Sequence, residues 1–223
     1  DIDALLRYMA VHEFCVNADS LSGNMAHNYY LYESGGVLSL IPWDYNLAFG
    51  GMGMSDAQSV INDPVDSPFS GTDFFDKLLE NEEYLAQYHE YLRRLCEEYV
   101  LGGRLDAFFG RTHGLIDGLV EADPTAFYSY DEYTAACAML QSTVTLRAQS
   151  VLGQLGGSIP STDSAQRENA DALISADGID LSVMGQMNAG SPGGEGGGFG
   201  GGDNGGDGGF PGDFSPPDAE AGL

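Results

Sequence analysis

Lysine is almost missing from this chain of 223 residues: Lys77 is the only one, and all basic residues together number 8 against 34 acidic ones. The formal net charge is −26. Such a surface repels nucleic acid and anionic membranes, so both are excluded as natural partners, whereas divalent cations and basic proteins are favoured. Any phosphate-gripping lysine would have to be Lys77, an arginine in its place, or a residue outside the chain. Cysteine is scarce too. Cys15, Cys96 and Cys137 are widely spaced, which rules out a CxxC metal or redox pair, and their odd number argues against a disulfide framework. Each sits in a helix-like apolar pattern and reads as a buried structural thiol. No apolar run is long enough to span a bilayer. Walker A, GxSxG and HExxH motifs are absent and Gly50–Gly53 is not a GxGxxG run, which removes P-loop, dinucleotide, serine-hydrolase and zincin readings.

What is present divides into three stretches. Residues 1–155 carry enough periodic apolar sequence for a core, 156–184 form a polar linker, and 185–223 form an acidic glycine-rich tail. That tail cannot offset its ordering entropy by burial and is expected to be disordered. The chain starts inside a helix without a leading Met, as a fragment of a longer protein would.

Within the first stretch, Ile2, Leu5, Leu6, Met9 and Phe14 mark an amphipathic helix capped by Asp1 or Asp3. A polar loop runs from Ala18 to His27. Asn28–Tyr32 and Val37–Ile41, separated by Ser34-Gly35-Gly36, predict a β-hairpin. The glycines and methionines after Asp44 predict a mobile loop to about Pro68. Helical spacing then returns in three long segments: 72–99, including a Tyr84, Tyr88 and Tyr91 stripe, then 105–120 and 130–155. The fold class expected is α+β, mainly α-helical, with one short hairpin at the functional site.

The hairpin is where chemistry is expected. A two-stranded ribbon brings its two ends side by side, so Asp19, Asn24 and Asn28 enter at the mouth from which Asp44 leaves. Carboxylate and carboxamide oxygens gathered there suit Mg²⁺ or Mn²⁺, and a second carboxylate could take a hydroxyl proton. Asp19 and Asn24 also keep the Asp-x-x-x-x-Asn spacing of kinase catalytic loops. Both Asn24 and Asn28 are candidate metal ligands; Asn28, at the start of the strand, is the preferred one. Asn46 is equally readable as a further ligand or as a turn residue. Trp43 reads as a packing anchor beside Asp44; His12, His27, His89 and His113 show no close metal-ligand spacing, and His27 reads as a structural hydrogen-bonding residue.

The strings His27-Asn28-Tyr29-Tyr30-Leu31-Tyr32 and Ile41-Pro42-Trp43-Asp44-Tyr45-Asn46-Leu47-Ala48-Phe49-Gly50, with Asn17, Asp19 and Ser20 ahead of them, resemble the CotH kinase family of spore-coat and surface proteins. The resemblance extends over about residues 1–155. It implies an atypical protein-kinase fold of which this chain is the C-lobe. It further implies ATP and Mg²⁺ or Mn²⁺ as cofactors and a protein serine as phosphate acceptor, in a basic or serine-rich coat or surface protein. By the same resemblance Asp19 corresponds to the catalytic-loop Asp, and Asp44, with Asn28 or Asn24, to the metal ligands. The setting implied is a spore coat or the cell exterior. The nucleotide-covering N-lobe has no counterpart here, and Lys77 lies on the wrong side of the hairpin to replace its lysine. The isolated chain is therefore expected to transfer phosphate poorly or not at all.

Overall fold

The computed structural model describes residues 1–21, 28–51, 53, 55–67 and 77–185. All of them fall in one compact unit, Asp1–Gly190. A second unit, Ser191–Leu223, and with it the tail expected to be disordered, lies outside the described residues.

Helix α1 spans Ile2–Phe14, and the Asp1 side chain accepts from the Ala4 amide as its N-cap. The hairpin follows. Strand β1, Tyr29–Ser34, pairs antiparallel with β2, Val37–Pro42, in the register Tyr29 to Pro42 through Ser34 to Val37. Gly35 and Gly36 turn the chain at φ of +60° and +80°. That double left-handed geometry belongs to the mirror-image turns that match strand twist, and glycine reaches it without steric cost.

The mobile loop expected after Asp44 is replaced, in part, by structure. Residues 57–62 form a short helix α2, Ala57–Asn62, capped by Asp56. Its Val60 and Ile61 are buried, as is Val65 just beyond. Six residues among glycines are too few to show a helical period, so burial of two branched side chains decides the outcome.

Helix α3, Glu82–Arg94, is capped by Asn81 and runs on through a wider π-helical segment, Leu95–Val100. Helix α4 is Arg104–Ala122. Helix α5, Tyr130–Leu155, begins with a reciprocal Ser129–Glu132 capping box. The core forms where α1, α3 and α5 meet: Leu6, Met9 and Phe14 pack with Tyr88, Leu92, Cys96 and Val100, and with Val144, Ala148 and Val151. Each fully buried side chain of this size stabilises by about 1.5–3 kcal/mol. Helix α4 departs from expectation. It buries none of its residues; Leu115 is 78% exposed and Leu119 71%. Its period is helical, but no other described element covers that face.

The stretch after α5 lies against α2. Gln58 Nε2 and Asn62 Nδ2 both donate to the Ile174 carbonyl, at 2.8 and 2.9 Å, and the Asp66 amide donates to the Ser161 carbonyl. Short helix α6, Asp163–Glu168, and two 3₁₀ turns, Ala170–Ala172 and Leu181–Met184, lie in this stretch.

Fully buried Arg147 of α5 ties these parts together. Its guanidinium donates to the Glu13, Phe14, Ile61 and Asp63 carbonyls and to Glu13 Oε1. One rigid fork thereby fixes the C-terminal ends of α1 and α2. Burial, with the Asp63 carboxylate adding to it, raises the Glu13 carboxyl well above its ordinary range, and Arg147 opposes the rise.

Candidate functional site

The site is built at the C-terminal end of α1, and its first determinant is how α1 stops. Cys15 caps the helix, and Val16 turns into the left-handed region at φ +47°. The Asn17 side chain then accepts from the Asp19 amide at 3.2 Å, while the Ser20 hydroxyl donates to the Asn17 carbonyl at 2.8 Å. This folded corner holds Asp19 in a buried position, only 6% exposed.

The hairpin reaches the same corner. Asn28 Nδ2 donates to the Asp19 carbonyl at 3.0 Å, and the Asn28 carbonyl accepts from the Trp43 amide at 3.1 Å. Asn28 is therefore bonded on one side to the residue of the α1 corner and on the other to the residue before Asp44. With its amide nitrogen given to Asp19, its Oδ1 is the atom left to act as a ligand. Asn28 and Asp44 both adopt left-handed backbone, φ +59° and +57°. That conformation is uncommon for residues with a Cβ, though Asn and Asp tolerate it best. Asp44 itself is exposed. Asn24 and His27 lie outside the described residues. Among the described residues no group of three or more His, Cys, Asp or Glu side chains is gathered as a metal cluster.

After Asp44 the chain folds back onto α1. The Phe49 amide donates to the Cys15 carbonyl at 2.8 Å, and the Phe14 and Phe49 rings meet edge to face. Tyr45, directly after Asp44, turns toward His12 of α1. Its hydroxyl bonds His12 Nδ1 at 2.9 Å, and His12 Nε2 bonds the Ser20 hydroxyl. In the neutral imidazole one of these two nitrogens donates and the other accepts. Burial keeps this imidazole neutral, pulling its pKa down to about 4. Burial likewise raises the Tyr8 and Tyr45 phenols above their ordinary range.

Trp43, read as a packing anchor beside Asp44, is 57% exposed and meets the Tyr30 ring of β1 edge to face. One sequence expectation changes here. Cys96 is buried, but Cys15 and Cys137 are only half-buried. Both line a largely apolar cleft of about 850 Å³ whose wall also includes Tyr45, Asn46, Phe127 and Leu140. Asn46 thus faces the cleft. Sequence reasoning missed His12 and Tyr45 as parts of the site. The available signal was His12 one helical turn after Tyr8, on the face of α1 that carries Met9 and leads to Asp19.

Fold and site together define a mainly helical α+β protein with one hairpin joined to the end of its first helix. The family described as CotH kinase protein matches residues 1–151. The chain belongs to the CotH kinase family. Comparison with curated proteins and with solved structures gave no match.

Proposed function

We propose that this chain is the catalytic-loop half of a protein kinase that transfers the γ-phosphate of ATP to a serine of a coat or surface protein. The observation that carries the reading is the double bonding of Asn28, to the Asp19 carbonyl and to the Trp43 amide. It joins, at one end of the hairpin, the two segments that bear the carboxylates such a reaction needs. Family membership supports the same reading.

In this reading Asp44 and Asn28 Oδ1 are hard oxygen donors, the kind that suits Mg²⁺ or Mn²⁺. The cation would supply charge neutralisation across the phosphates of ATP. Asp19, fixed by Asn17 and Asn28, accepts the serine hydroxyl proton. The rest of the rate enhancement is positioning, which the bonded corner provides. This reading assigns the phosphate-gripping lysine and the cover for the nucleotide to no residue of this chain. A net charge of −26 favours basic acceptor segments, and the setting proposed with them is a coat or the cell exterior.

The test is phosphate incorporation by the full-length protein from ATP with Mg²⁺ or Mn²⁺. Asp44→Ala and Asp19→Asn should each lower it by about 100-fold or more. Incorporation unchanged in Asp44→Ala would sink this assignment of the site. None at all from a folded wild type would favour a non-catalytic coat or surface module.

A further inference from the structure

We propose that His12 is a positioning residue, a buried staple that sets the spacing between the Asp19 and Asp44 segments. The inference rests on the phosphoryl-transfer reading above and assigns a role to a residue outside the two carboxylates and their asparagine.

The argument is one of place. Ser20 directly follows Asp19, and Tyr45 directly follows Asp44. A single imidazole bonds both side chains, Ser20 through Nε2 and Tyr45 through Nδ1. The ring itself cannot drift. It is 2% exposed, stacks on Tyr8 at 4.6 Å between centroids and 23° between planes, and takes the Tyr45 ring edge-on at 85°. Its helix is in turn held by Arg147 at Glu13 and Phe14, immediately downstream. The two ring nitrogens lie on a rigid five-membered frame, one donating and one accepting. The distance between the Ser20 and Tyr45 hydroxyls is therefore set by that frame. A 1 Å error between a proton acceptor and a metal ligand costs about 100-fold in rate, so a rigid link at this point is worth more than its two hydrogen bonds.

The two bonds should separate in kinetics. The experiment measures phosphate transfer and Mn²⁺ half-saturation with ATP present for the full-length protein carrying Tyr45→Phe, Ser20→Ala or His12→Gln. Thermal unfolding is recorded for each. Tyr45→Phe, which frees only the Asp44 side, should raise the Mn²⁺ concentration for half-saturation about tenfold while kcat stays within about twofold. Ser20→Ala, which frees the Asp19 side from His12 and also removes the Ser20 bond to the Asn17 carbonyl, should lower kcat about tenfold or more with half-saturation kept. His12→Gln should show both losses, and adding Tyr45→Phe to it should cost nothing more, since the shared link is already gone. Lower thermal stability with kcat and half-saturation both unchanged would overturn the proposal and leave His12 a packing residue. A wild type that neither binds Mn²⁺ with ATP nor transfers phosphate would remove the kinase reading and this inference together. An active wild type with indifferent variants would remove this inference alone.

Discussion

His12 shows how burial turns one side chain into a determinant of stability. In the unfolded chain its pKa is near 6.5, and in the fold burial lowers it to about 4. Between those values the unfolded state binds a proton that the folded state refuses. Stability is thus complete above pH 6.5 and is lost as pH falls toward 4, by roughly 3 kcal/mol for a shift of this size. Glu13, whose carboxyl is raised by burial, acts in the opposite sense, so the comparison must be made against a variant. The denaturant midpoint of the wild type should fall between pH 7 and pH 4.5 by more than that of His12→Gln. Parallel pH profiles would show that the imidazole titrates freely in the fold. Arg147 illustrates the converse: a buried charge is tolerated because carbonyls from two helix ends and one carboxylate surround it.

At the scale of elements, the hairpin is the part whose sequence speaks most directly. Two short runs of aromatic and branched apolar residues with a Gly-Gly pair between them specify strands and turn together. Neither Gly35 nor Gly36 has anything within 4 Å of an added Cβ, so only backbone strain penalises a substitution there. Gly36→Ala should therefore destabilise by about 1 kcal/mol, whereas Gly35→Asn, which tolerates positive φ, should be near neutral. Equal losses in chemical denaturation would mean that the turn is not set by φ. The long helices were equally legible, because α1, α3 and α5 carry caps and a sustained apolar period. Helix α2 was not, since two buried side chains in six residues leave no period to read. Nor was the exposure of α4: a helical stripe announces a helix without saying what covers it. In the candidate site, the order of Asp19, Asn28, hairpin and Asp44 was readable, because a ribbon must bring its ends together. The His12–Tyr45 and Arg147 links were not, because each is a single side chain inside a helix or loop, joined to partners across more than thirty residues of sequence.

At the scale of the whole molecule, charge is the dominant long-range force. Arg7, Arg93, Arg94 and Arg104 each meet a carboxylate at the surface and Arg147 meets one inside, which uses five of the 8 basic residues against 34 acidic ones. Isolated surface pairs contribute about 0–1 kcal/mol each and cannot offset the mutual repulsion of the remaining carboxylates. Salt should relieve that repulsion, as the screening length falls from about 30 Å at 0.01 M to about 10 Å at 0.1 M. The unfolding temperature should accordingly rise by a few degrees over that range, the opposite of what a fold held by surface ion pairs would show. MgCl₂ at matched ionic strength separates screening from binding. A site that takes the cation adds RT ln(1 + [L]/Kd), about 2.7 kcal/mol at a hundredfold excess over Kd. That increment should vanish in Asp44→Ala while the NaCl response persists. If both salts stabilise equally in wild type and variant, the carboxylates act only as a diffuse charge and Asp44 holds no ion by itself.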